Sequence, residues 1–321
     1  MIQVRGLNKA FQSVQAVDGV SFDVAGGETF ALLGPNGSGK TTTLKAVAGL
    51  QAPTSGEILI GGVNVRKNPK EARRMISYLP QRVAFPESLT AREILEFYCE
   101  LRKLPVSRVE EELDRFRLRG TEGRCVQEFS GGMVQRLGIA VSCLADAPIL
   151  LLDEPTVSLD PDTAIEFRQY LSEQKRVGKT ILFSSHVLTD VEQLADKVAI
   201  LVGGRLMAVE SVETLRNGLA SGSGIRVATG KPDERLADAA RKAGAATAVW
   251  EGSTLVLQCE PAQRWQVLRA LEQAGASIEG FSTAEPALEE IYLRYVHESH
   301  GGGAGATCRG MSGEALRAGG C

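Results

Sequence analysis

Residues 34–41 read Gly34-Pro35-Asn36-Gly37-Ser38-Gly39-Lys40-Thr41 and fit the spacing G-x-x-x-x-G-K-[ST]. Glycines so placed let successive backbone N–H groups point into one concave loop that holds an anion. A helix opening at Lys40 adds the partial positive charge of its N-terminus. The pattern predicts that Lys40 reaches the terminal phosphates of a nucleotide and that the Thr41 hydroxyl ligates Mg²⁺. Thr42, next in the first turn, is placed to donate to the innermost phosphate. A second Gly-Lys-Thr, at 178–180, has Glu173 where the first glycine belongs and precedes an apolar run instead of a helix. It reads as a helix C-terminal turn.

Leu150-Leu151-Leu152-Asp153-Glu154-Pro155 is an apolar run ending in two adjacent acids. A buried strand that delivers two carboxylates at its end can give them different tasks. Asp153 is placed for Mg²⁺, and Glu154 is placed to polarise an attacking water as general base. His186 follows the apolar run Ile181-Leu182-Phe183. A histidine after a strand is often only structural. Here it follows the next strand-type segment after the acids, so it can point at the same edge, contact the outermost phosphate and hold the water.

These residues need a scaffold that brings strand ends together. Segments 28–34, 148–153, 179–185 and 197–202 are continuous apolar runs separated by helical patterns. That arrangement predicts an α/β fold with a parallel sheet covered on both faces. From about 82 to 145 the pattern becomes helical and more charged, which predicts a helical subdomain inserted into the core. Asn217–Gly224 has linker composition. Beyond it the periods run β (225–230), α (234–244), β (246–251), β (254–259), α (263–275), β (277–283), a βαββαβ order of the ferredoxin-like kind. A last helix is expected over 286–298. The tail from 299 is Gly-rich and expected to be disordered. His297, His300, Cys308, Met311 and Cys321 gather near that end without a tight metal-ligand spacing.

Composition narrows the classes further. The chain has 321 residues, 43% hydrophobic and 23% charged, with a net charge of −3. Mean hydropathy is −0.05, and no apolar run approaches the ~18–20 residues of a membrane span. The acidic balance offers nucleic acid no basic stripe. Met1–Gly6 has neither a basic nor an apolar leader region, so no secretion is expected. Six cysteines without a CxxC pair suggest a reducing compartment.

Phe129-Ser130-Gly131-Gly132-Met133-Val134-Gln135-Arg136 resembles the LSGGQ-x-x-R signature of the ATP-binding subunits of ABC transporters. The ordered series strengthens that resemblance: the phosphate loop, Gln81 in Tyr78-Leu79-Pro80-Gln81, the signature, the acid pair, Ser158-Leu159-Asp160, then His186. It covers about residues 1–215. It implies a P-loop ATP-binding cassette over 1–216; composition and periodicity divide the rest into a linker over 217–224, a ferredoxin-like domain over 225–298 and a tail over 299–321. It further implies that Phe11 stacks on adenine and that Gln81 touches Mg²⁺ and senses the helical subdomain. Ser130, Gly131 and Gly132 would grip the γ-phosphate of ATP held by a second copy, and Asp160 would lie at that dimer interface. Met133 departs from the usual glutamine, so its amide contacts are missing.

The resemblance implies an ATPase using ATP and Mg²⁺, working as an ATP-sandwich homodimer on a separate transmembrane permease at the cytoplasmic face of the membrane, with no nucleic-acid partner. Segment 82–98 would help form the docking groove for that permease. The C-terminal part, closed by Leu288-Glu289-Glu290-Ile291-Tyr292-Leu293, resembles the appendage of ABC-2 type exporters. Within that branch the chain is most similar to the ATPase of exporters that serve nitrous-oxide-reductase maturation and copper handling. An importer ATPase and a soluble, non-transport ABC protein remain alternatives. Importer extensions are more often β-rich barrels, and the soluble relatives carry paired cassettes or long coiled-coil insertions.

Overall fold

The computed structural model describes residues 1–157, 159–218 and 224–284. Strands β1 (Ile2–Phe11) and β2 (Val14–Val24) form a hairpin. It leads into β3 (Thr29–Leu33), buried at every position. Helix α1 (Lys40–Val47) follows the glycine loop. Strands β4 (Ser55–Ile60) and β5 (Val63–Asn64) complete an antiparallel sheet of order β2-β1-β4-β5. Helix α2 (Pro69–Arg74) then leads into β6 (Ile76–Leu79).

Three helices follow: α3 (Ala91–Arg102), α4 (Ser107–Arg115) and α5 (Gly131–Leu144). Thr90 and Glu93 form a reciprocal cap at the start of α3, which satisfies orphan N–H groups there. The chain returns through β7 (Ile149–Asp153), α6 (Pro161–Arg176), β8 (Thr180–Ser185) and α7 (Leu188–Leu194). It continues into β9 (Lys197–Val202), β10 (Arg205–Ser211) and α8 (Val212–Gly218). The central sheet has the order β10-β9-β3-β8-β7-β6, parallel except for β10.

The continuous apolar runs are explained by burial on both faces. Phe30 and Leu32 of β3, with Ile149 and Leu151 of β7, face the core that backs onto β1 and β2. Ala31, Leu33, Leu150 and Leu152 face the core shared with the helices. Successive strand residues point to opposite faces, so a sheet covered twice needs apolar residues at every position. The apparent Gly-Lys-Thr at 178–180 is a helix end: Gly178 has φ 86° after α6, and its N–H donates to Lys175 O at 2.9 Å.

The C-terminal unit contains β11 (Gly224–Ala228), α9 (Glu234–Lys242), β12 (Thr247–Glu251), β13 (Thr254–Gln258), α10 (Arg264–Gln273) and β14 (Gly280–Ala284). Its sheet is antiparallel with the order β12-β13-β11-β14. Ile225, Val227, Leu255 and Leu257 pack against Leu236, Ala240, Val267 and Leu271 of its two helices. The helix expected over 286–298 and the tail beyond it lie outside the described residues. Among the described residues, no helix is long and apolar enough to cross a membrane.

Candidate functional site

The chemistry-bearing residues sit where parallel strands end. Gly34 follows β3, Gln81 follows β6, Asp153 ends β7 with Glu154 next, and His186 follows β8. Ligands of open α/β sheets bind at such carboxyl ends. A cavity of about 380 Å³ opens there, lined by Ala16, Asn36, Gly37, Ser38, Gly39, Lys40, Thr41, Thr42, Gln81 and Glu154. Gly34 and Pro35 border it through their carbonyls, which accept from Lys40 Nζ at 2.7 and 3.2 Å.

Gly39 has φ 96°, and a Cβ there would lie 2.6 Å from the Ala16 carbonyl. Only glycine fits that close approach of β2 to the loop. Lys40 is 5% exposed, and its ammonium also lies 3.3 Å from Glu154 Oε1. Glu154 is 3% exposed, and its Oε2 accepts from His186 Nδ1 at 2.8 Å.

Asp153 is fully buried. Its Oδ1 accepts from Thr41 Oγ1 at 3.0 Å and from Ser184 Oγ at 2.7 Å. Among the described residues, its Oδ2 has no hydrogen-bond partner. Burial raises the Asp153 pKa above the ordinary carboxylate range, while the bonds from Ser184 and Thr41 oppose that rise. A buried carboxylate oxygen without a partner, beside a threonine hydroxyl and an anion loop, is a fitting oxygen donor set for Mg²⁺. This cation is commonly held by one or two carboxylates plus substrate phosphates.

Other predicted residues lie elsewhere in the single chain. Phe11 is 43% exposed at the tip of the β1–β2 hairpin, with Lys9 Nζ 5.0 Å from its ring centre. Ser130 caps α5 and accepts from Met133 N–H at 3.3 Å, with Gly131 and Gly132 in the first turn. Asp160 caps α6 by accepting from Thr163 N–H at 3.0 Å, which lowers its pKa. None of these five lines the phosphate cavity. Sequence reasoning missed Ser184. Its only signal was a polar residue inside an apolar strand, and its partner becomes visible only when β7 pairs with β8, Asp153 opposite Ser184.

The ABC transporter family model matches residues 17–157. YcbN of Bacillus subtilis (strain 168), described as an uncharacterized ABC transporter ATP-binding protein, is 38% identical over 218 residues, covering 67% of this chain and 71% of that protein. The chain belongs to the ABC transporter family. This ABC ATPase also resembles DrrA3 of Streptomyces coeruleorubidus, a daunorubicin resistance ATP-binding protein, at 33% identity over 91% of this chain and 94% of that one. Among solved structures, the ATP-binding cassette MJ0796, as a dimer in a post-hydrolysis state bound to ADP and Pi, is similar. It superposes with a TM-score of 0.62 and 25% identity over 66% of this chain and 99% of its own. The cavity lies at the strand ends of this ABC cassette.

Proposed function

We propose that this chain is the ATP-hydrolysing subunit of an exporter, acting as a homodimer on a separate membrane-spanning chain. The observation that carries the reading is one cavity where Lys40, Thr41, Gln81 and Glu154 meet, with the unpartnered Asp153 oxygen behind it. The near full-length similarity to DrrA3 supports export over import. The βαββαβ unit after the cassette supports a ferredoxin-like appendage over 225–298.

In this reading the phosphates enter the glycine loop and draw Lys40 away from Glu154. Thr41 and Asp153, with Gln81 lining the cavity, would hold Mg²⁺. That cation, when bound, neutralises charge on the phosphate oxygens. Glu154, released from Lys40, accepts a proton from the attacking water. His186 holds the Glu154 carboxylate through Nδ1 and keeps one of its oxygens committed. Phe11 offers a ring face to adenine.

Ser130, Gly131 and Gly132 complete the site of the second copy. Their exposed helix start offers N–H groups to a γ-phosphate, and Ser130 and backbone donors serve there without the amide that Met133 lacks. Asp160 stands near that interface while capping α6.

The test is complementation. Ser130→Arg blocks the helix start and Lys40→Ala empties the loop, so each variant alone should lack ATP-driven dimerisation. A mixture should regain one intact composite site per heterodimer. Failure of the mixture to dimerise with ATP would overturn the arrangement between copies.

A further inference from the structure

Glu154 has φ 50°, a left-handed conformation that a non-glycine residue keeps only when its surroundings impose it. Three successive residues are each gripped by a side chain from a different element. The Glu154 N–H donates to Ser184 Oγ on β8 at 2.9 Å. The Pro155 carbonyl accepts from Gln135 Nε2 on α5 at 3.3 Å. The Thr156 hydroxyl donates to Asp190 Oδ2 on α7 at 2.5 Å. All three gripping side chains are buried, and none lines the phosphate cavity. Asp190 is itself held by Arg168 Nε at 2.8 Å.

The loop thus carries the general base on one side and, besides the Ser184 bond to the Glu154 N–H, is tied to the His186 segment twice through side chains of its own. One tie is at the site, through Glu154 and His186. The other is behind it, through Thr156 and Asp190, four residues along from His186. Gln135 adds a different connection. It lies five residues along from Ser130 at the start of α5, about 7.5 Å of helix. A helix moves as a stiff body, so displacement of its start is felt at Gln135.

We propose that Gln135, Ser184 and Asp190 are positioning residues that hold the Glu154 carboxylate at the phosphate cavity, and that Gln135 makes this hold depend on what occupies the N-terminus of α5. The proposal rests on Glu154 being the base and deepens that reading: a nucleotide of the second copy, seated at Ser130, would be sensed by the base of this copy.

The test compares Thr156→Val and Gln135→Met, which keep volume and lose the donor, with Thr156→Ser, which keeps the hydroxyl. Affinity for a fluorescent ATP analogue and the KM for ATP should stay within about twofold in all three, because none of these side chains lines the phosphate cavity. Turnover of the valine and methionine variants should fall about tenfold or more, since a misplacement of ~1 Å at a reacting group can cost ~10²-fold. Thr156→Ser should keep nearly native turnover. Combined with His186→Ala, the Thr156→Val loss should be less than multiplicative, because both act through the same carboxylate. The Hill coefficient for ATP should fall in Gln135→Met and stay native in Thr156→Val.

Native turnover in both variants, an equal loss in Thr156→Ser, or multiplicative losses with His186→Ala would overturn the positioning role. An unchanged Hill coefficient in Gln135→Met would overturn the link to α5. If Thr156→Val does not fold, Gln135→Met carries the same turnover and affinity readouts. Glu154→Gln separates the two levels: full turnover there removes the base itself, whereas an inactive Glu154→Gln beside fully active Thr156→Val and Gln135→Met removes only the positioning.

Discussion

Glu154→Gln should bind ATP more tightly than the native chain. Lys40 Nζ and Glu154 Oε1 lie 3.3 Å apart with both side chains almost fully buried. At an effective dielectric constant near 20, unit charges at that distance attract by about 5 kcal/mol. Entering phosphates must replace that attraction at Lys40 and also sit beside the carboxylate. The amide keeps the shape and removes both penalties. Lys40 already has the Gly34 and Pro35 carbonyls, so only part of the Coulomb energy is recovered. A gain of about 1–2 kcal/mol corresponds to a Kd about 5–30-fold lower. The assay is calorimetric titration of both proteins with a non-hydrolysable ATP analogue and Mg²⁺. Because the pair is buried, the difference should survive high salt. The nucleotide-free variant should also be less stable, toward the low end of the ~3–5 kcal/mol for breaking a buried pair, and nucleotide should restore it. An unchanged or weaker affinity would refute the claim that Glu154 competes with the phosphates for Lys40.

Further outcomes follow from other parts of the molecule. Gly39→Ala should lower thermal stability and weaken nucleotide binding by at least about tenfold, because its Cβ would meet the Ala16 carbonyl at 2.6 Å in a backbone conformation that disfavours alanine; thermal melts with and without ATP check it. Glu112, fully buried on α4, has its pKa raised mainly by burial, against the pull of Arg115 and Arg108. The native state therefore binds its proton more tightly than the unfolded chain, and stability falls as pH climbs from the ordinary carboxylate range through the raised value. Glu112→Gln should flatten that decline in melts taken from the ordinary carboxylate range upward. Truncation after residue 298 should leave ATP turnover unchanged while reducing Cu(I) uptake in a competition titration, if His300, Cys308, Met311 and Cys321 form a soft-ligand site; equal uptake by both forms removes that site.

The local motifs were legible because their function depends on local spacing. The glycine loop, the acids ending an apolar run and the histidine after the next run each announce themselves within a few residues, and the structure places them at neighbouring strand ends. Burial on both faces made β3, β7, β8 and β9 visible as continuous apolar segments. The antiparallel sheet of β1, β2 and β4 was not read. Its strands alternate buried and exposed residues, and register shifts between Val4 and Leu7 and between Leu7 and Lys9 break the period. Ser184, Gln135 and Asp190 were missed for another reason. Each acquires its partner only through tertiary packing, so no spacing near Glu154 points to them. Ser130 and Phe11 illustrate a third limit: their assigned roles came from family resemblance, and within one chain they lie apart from the cavity.

The proposed function requires that Glu154 be the base of an ATP-hydrolysing site. Its most direct test is steady-state phosphate release by the native protein and by Glu154→Gln, each assembled with the membrane chain. Loss of a general base predicts turnover lower by ~10²–10⁴-fold with ATP still bound. A variant that retained more than about half of the native turnover, where ~10²-fold loss is expected, would show that Glu154 is not the base.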